Sequence, residues 1–152
     1  MYPFVLSLHS WLRWVALVAG VAATVTTLAD RSATLREGRA DMWGLVLMMV
    51  LDIQMLLGLL LYLVVSPNMK AIRENFGGAM RDAGLRFFAV EHLALMLAAV
   101  VLVHVGRVLA RKAPTSDAKR MRRLICFGLA TVLTVIGIPW PGMAGGRPLF
   151  RL

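Results

Sequence analysis

Residues 43–65 read WGLVLMMVLDIQMLLGLLLYLVV, twenty-three positions in which Asp52 is the one charge. A helix needs about 20 predominantly apolar residues to cross a hydrocarbon core, so this stretch predicts a transmembrane helix and decides the class of the molecule. Working outward, residues 4–28, 85–109 and 124–141 have comparable length and apolarity. The expected fold is all-α, a single membrane domain over residues 1–152 built as an antiparallel bundle of four transmembrane helices. The composition agrees: 59% of the 152 residues are apolar and 16% charged, against roughly 25% charged in soluble chains. A globule of ~150 residues leaves about 30% of its unfolded surface exposed, which is too much for so apolar a chain. A soluble enzyme and a disordered tail are thereby excluded. The lone Cys126 excludes an intrachain disulfide and any cysteine cluster for zinc or iron–sulfur. The first span has small residues at Ala22 and Ala23, as a signal peptide does. It lacks a basic leader and carries His9 and Arg13, so it is expected to stay in the protein.

The formal charge of +9 has a topological reading. Arg31, Arg36 and Arg39 lie in the first loop, and Arg107, Arg111, Lys112, Lys119, Arg120, Arg122 and Arg123 in or beside the third. Ten of the seventeen basic residues therefore fall on one face, while Lys70, Arg73, Arg81, Arg86, Arg147 and Arg151 are spread over the other. Cytoplasmic loops carry the Lys/Arg excess, so both termini are expected outward. The charge then needs no nucleic acid as a partner. Ser66 and Pro67 should end the second span, and Pro139 and Pro141 the fourth, because proline cannot continue the helical ladder. Trp43 and Trp140 sit where an interfacial aromatic belt belongs. In the second loop Met69, Ile72, Phe76 and Met80 recur at helical spacing. They predict either a short amphipathic interfacial helix ending near Gly77 and Gly78 or a loop packed over the bundle mouth.

Ionisable groups in hydrocarbon are costly and mark functional positions by default. They are His9 and Arg13 in the first span, Asp52 with Gln54 in the second, and Glu91, His92 and His104 in the third. At ~1.5 Å per residue, His9 lies roughly 8 Å from the outer face and His92 roughly 10 Å, with Arg13 at roughly 14 Å and Asp52 at roughly 20 Å. His104 lies roughly 18 Å below His92 and cannot share its site. Two histidines level on different helices are the arrangement that clasps a b-type haem from both sides. A guanidinium as deep as Arg13 needs an anion, for which Asp52, Glu91 and a haem propionate are the options. Arg86, with Arg147 or Arg151, stands where propionates would reach the outer interface. Each residue also has a structural reading. Lone intramembrane histidines often hydrogen-bond neighbouring helices, Asp52 and Gln54 suit an interhelical polar clamp as well as a proton or quinol site, and the ten methionines fill gaps in an apolar bundle.

Several motifs, in order, carry a family likeness: LHSWLRW at residues 8–14, DIQMLLGLLLY at 52–62, MRDAGLRFFAVEH at 80–92, Gly106 with Arg107, IPWP at 138–141 and GRP at 146–148. Over nearly the whole chain they resemble a family of small four-helix bacterial membrane proteins usually labelled "cytochrome B". The resemblance implies a b-type haem protein of the bacterial cytoplasmic membrane, with His9 and His92 as the matching histidines. The chain departs from respiratory cytochromes b, which pair two histidines on each of two helices. Here the third span carries His92 and His104, and the first only His9.

The resulting expectation is a one-haem cytochrome relaying electrons near the outer leaflet, between quinol and a periplasmic partner or inside a larger redox complex. His9 and His92 would be axial ligands, and Arg13 and Arg86 would set the electrostatics of the haem edge. Asp52, Gln54 and Glu91 would handle protons or quinol, with a quinone as a second candidate cofactor. The expected partners are the lipid bilayer and either redox-complex subunits or further copies of the chain. The alternative is a cofactor-free accessory subunit whose polar residues join helices. A third reading, a proton-coupled carrier built on Asp52 and Glu91, is weakened by the lack of inverted repeats.

Overall fold

Each long helix starts and stops where local chemistry dictates. Pro3 opens α1, Tyr2–Ala29, where its missing N–H costs nothing. The second helix, α2, runs Arg39–Leu60 and continues as a π-helical turn, Leu61–Val65, before Ser66 goes extended. Ser66 caps α3, Pro67–Glu74, and Asn75 caps the single turn α4, Phe76–Ala79. Asp82 caps α5, Ala83–Arg86, which passes through a second π-helical turn, Phe87–Glu91, into α6, His92–Arg111. Thr115 caps α7, Ser116–Ile136, accepting from the N–H of Ala118 at 3.2 Å. The structure is a computed structural model and describes residues 1–30 and 38–150. Arg31, Arg36 and Arg151 of the charge argument lie outside the described residues.

Three of these helical stretches are long and apolar enough to cross a membrane: Tyr2–Ala29, Arg39–Val65 and Ala83–Arg111. They match the expected spans to within four residues at each end. The helix α7 departs from the expected 124–141. It begins eight residues earlier, because Thr115 caps it and its basic first turns find partners on neighbouring helices. It ends five residues earlier, at Ile136, with Gly137 as its cap and Pro139 close behind. Its uninterrupted apolar part is therefore residues 124–136.

The helices pack in a ring, α1 on α2, α2 on α6, α6 on α7 and α7 on α1, each antiparallel to its neighbours. At one end, the basic end, the close of α1 meets the starts of α2 and α7. At the other, the cavity end, the starts of α1 and α6 meet Gly58 on α2 and Gly137 after α7. The core between the two ends is made of small residues on α1 (Ala16, Ala19, Ala23), with Leu47, Leu51, Val103 and Phe127 filling the rest. Small side chains let backbones approach closely where lipid supplies no hydrophobic drive. Two glycines mark close crossings toward the basic end: a Cβ on Gly44 would lie 2.7 Å from the Phe127 ring, and one on Gly106 2.4 Å from Cβ of Cys126. Outward faces are mostly Leu, Val, Met and Ile, as a lipid-facing surface requires.

The basic end is tied by charge. The Asp41 carboxylate on α2 takes a hydrogen bond from the buried Arg123 of α7 and faces Lys119 at 3.2 Å, while Arg107 of α6 donates to the Asp41 carbonyl at 3.1 Å. Arg120 donates to the carbonyls of Thr27 at 3.2 Å and Leu28 at 3.0 Å, at the end of α1, and Arg122 to Leu109 at 2.7 Å, near the end of α6. Cations at helix C-termini meet the orphan carbonyls and the negative end of the helix dipole.

In the second loop a short helix does form, and it packs over the bundle mouth. Met69 and Ile72 are buried with Ala79 and Ala89 over the mouth, whereas Phe76 faces outward, 52% exposed. The helix stops at Glu74, before Gly77 and Gly78, because Asn75 ends it and starts the next turn.

Candidate functional site

A cavity of about 150 Å³ opens at the cavity end between α1, α2, α6 and the segment after α7. His9 and His92 face each other across it, ring centroids 6.2 Å apart and planes at 73°. The depth arithmetic expected these two histidines to lie level, and the structure brings them together.

Each ring is fixed from outside the cavity. Nδ1 of His92 lies 2.7 Å from the carbonyl of Gly137. A carbonyl only accepts, so this nitrogen carries the ring proton of the neutral imidazole and Nε2 keeps its lone pair. His9 rests on Gly58, where an added Cβ would come within 3.3 Å of Cε1. Gln54 donates through Nε2 to the His9 carbonyl at 2.9 Å. Nδ1 of His9 and Oε1 of Gln54 are buried polar atoms without a hydrogen-bond partner among the described residues. Buried polar atoms are usually satisfied, so this pair leaves the site with hydrogen-bonding capacity to spare.

Both π-helical turns border this cavity, as such turns often border functional sites. Their loosened backbone is paired by side chains. Tyr62 donates to the carbonyl of Ala89 at 2.8 Å, tying the two turns together. The Tyr62 carbonyl would look five residues on to Pro67, which has no N–H, and Arg73 donates to it at 2.8 Å instead.

Arg13 and Arg147 both line the cavity, and among the described residues no Asp or Glu does. The Arg13 side chain is 8% exposed and donates to the carbonyl of Leu149 at 2.7 Å, where Trp14 Nε1 donates as well, at 3.2 Å. Arg147 lies over the Phe88 ring at 5.0 Å. The segment following α7 thus folds back over the first helix, and Phe150 stacks on Trp14 at 5.5 Å.

The remaining candidates stand elsewhere. Arg86 pairs with Glu91 at 2.8 Å, both about half-exposed and neither lining the cavity. Asp52 lies two residues from Gln54 but on another face of α2, where it meets His104 at 3.5 Å on the outer surface. His9, His92, Arg13 and Gln54 converge; Arg86, Asp52 and Glu91 do not join them. Gly58, Tyr62 and Gly137 escaped the sequence reading. Gly58 had a signal, since seven residues from the end of its span put it roughly 10 Å deep, level with both histidines.

Comparison with known protein families, with curated proteins and with solved structures gives no match.

Proposed function

We propose that this chain is a membrane cytochrome that holds one b-type haem between His9 and His92. The observation that carries this reading is the histidine pair, 6.2 Å apart across a mostly apolar cavity. An imidazole nitrogen bonds a first-row transition metal at about 2.0–2.1 Å, which puts the two ring centroids about 6 Å apart when one ion lies between them. The His92–Gly137 bond suits a ligand too, since the partner of one ring nitrogen sets which nitrogen is left for the metal. A cavity with two guanidinium groups, apolar walls and no acid among the described residues suits a flat apolar ligand with carboxylates at its edge.

A haem there would supply a one-electron couple. The chain's own groups bind and orient. Gly137 fixes the rotation of His92, Gly58 and Gln54 hold His9, and Arg13 and Arg147 neutralise carboxylate charge. In this reading the basic end faces the cytoplasm, α7 is the fourth crossing, and both termini face outward. The membrane is the bacterial cytoplasmic one, the electron source a quinol, and the acceptor a periplasmic protein or a neighbouring redox subunit. Of the three proton or quinol candidates, Gln54 alone lines the cavity.

A second reading has its own support. The bonds from Gln54 to His9 and from His92 to Gly137 join different helices, which is what a cofactor-free accessory subunit needs. The visible spectrum of the purified chain, recorded after incubation with haem, separates the two. The cytochrome gives a Soret band that sharpens with dithionite and is lost in His92→Ala. A colourless chain of full helical content sinks the haem reading.

A further inference from the structure

The outward faces of the helices carry a feature that the cavity does not use. On α2 the exposed stripe runs Leu45, Met49, Asp52, Leu56, and on α6 it runs Leu97, Val101, His104, Val108. Both follow the alternating three- and four-residue spacing with which one helix packs along another. Asp52 and His104 hold the same place in the two stripes. The outward residues of α1 (Val15, Val18, Val25) and α7 (Ile125, Leu129, Val132) have no ionisable group in their stripe. The seam between α2 and α6 is thus unlike the other outward faces.

The Asp52 and His104 side chains are 40% and 46% exposed, with Oδ2 and Nε2 3.5 Å apart. Nδ1 of His104 lies 3.0 Å from the carbonyl of Val100, its own helix's acceptor, so Nδ1 donates there. Nε2 and Oδ2 are then the atoms that face each other across the seam. Asp52 is the fourteenth residue of the 27-residue span Arg39–Val65, its middle. A carboxylate with spare acceptor capacity facing hydrocarbon at that depth is expensive.

We propose that the α2/α6 seam is the interface between two copies of this chain. A two-fold axis along the membrane normal keeps every residue at its own depth. An acid on one copy then meets a base on the other only if the two already lie level, and these lie 3.5 Å apart. The rotated copy presents His104 to Asp52 and Asp52 to His104, an isologous contact. A single polar place in each apolar stripe fixes register and helix number. A different protein would have to bring its own acid and base to the same depth. This interface is independent of whether the cavity holds haem.

The test uses the full-length chain in lipid vesicles. With Cys126→Ala as background, a chain carrying Leu56→Cys mixed with one carrying Val101→Cys gives the mixed disulfide dimer on mild oxidation, since α2 of one copy faces α6 of the other, and Val18→Cys, on the outward face of α1, gives none. Single-molecule photobleaching across a protein-to-lipid series gives two-step traces for the native chain. Replacing the pair on one side, His104→Leu, weakens dimerisation about tenfold, the loss of an interhelical hydrogen bond. The exchanged chain, Asp52→His with His104→Asp, recovers it. Single-step traces throughout the series would overturn the proposal. So would cross-linking of Val18→Cys equal to that of the Leu56→Cys and Val101→Cys mixture, or an unchanged dimer fraction in a helical His104→Leu chain.

Discussion

The two ends of the bundle are built on opposite terms. At the basic end the polar groups are matched across four helices: Asp41 receives Arg123 and Lys119, Arg107 takes the Asp41 carbonyl, and Arg120 takes two carbonyls of α1. The cross-sections there are tight enough that Gly44 and Gly106 have no room for a methyl group. At the cavity end the backbone loosens into two π-helical turns, an opening of about 150 Å³ remains, and two buried polar atoms stand without partners among the described residues. At the basic end charged side chains and helix ends meet one another; at the cavity end His9 and Gln54 keep hydrogen-bonding capacity, and that end is less densely joined.

The contrast is broken most severely by Arg123→Ala, which strands the Asp41 carboxylate at the basic end. Removing one partner of a buried pair costs roughly 3–5 kcal/mol. About 3 kcal/mol is expected here, because the Asp41 side chain keeps 21% exposure and still has Lys119. Chemical unfolding in detergent measures it; a loss under 1 kcal/mol would show that the basic end is not the stable one.

Next come two glycine-to-alanine changes at opposite ends. Gly106→Ala forces a methyl group onto Cys126 and is expected to cost about 2 kcal/mol through overpacking. Gly58→Ala meets His9 at 3.3 Å, and the helix preference of alanine, about 1 kcal/mol, offsets that contact. It should leave unfolding nearly unchanged and, on the cytochrome proposal, shift the absorbance of the haem-loaded chain. Equal costs at the two sites would erase the distinction between the ends.

The smallest effect belongs to Tyr62→Phe, which removes the bond to Ala89 between the π-helical turns. About 1 kcal/mol is expected, the ordinary worth of such a hydrogen bond. It should act locally, with amide exchange of residues 87–93 faster and the basic end unaffected.

Much of this design was legible in the sequence because it depends on residue type and spacing. Three span boundaries follow from apolar run length, and Ser66 with Pro67 ends α2 as proline chemistry requires. The level placement of His9 and His92 came from rise per residue alone. The same arithmetic sets Asp52 and His104 about 8 Å apart in depth, so their pairing was not legible from it. What was not legible depends on backbone. Arg13 has the carbonyl of Leu149 as a partner, and every residue has a carbonyl, so no side-chain pattern points to it. The early start of α7 was missed because its basic turns read as loop until their acceptors on α1 and α2 are in place. The two π-helical turns leave no periodic trace, being one residue out of step with the helices that contain them.

That mismatch of one residue is a change of phase. A residue advances an α-helix by about 100°, and a π-helical turn absorbs one residue without advancing the bundle below it. Above Leu61 and above Phe87, side chains therefore face directions that an unbroken helix would not give them. Because Tyr62 bonds Ala89, the two shifts are coupled and the mouth is set at its own angle to the barrel. Deleting a single residue within Phe87–Glu91, such as the exposed Val90, would bring α5 and α6 back into step. His92 would then remain where α6 packs while everything before it turned by about a quarter of a revolution, carrying Phe88 off the cavity wall. The geometry of the opening is thus held by two extra residues, counted along the chain, as much as by the side chains that line it.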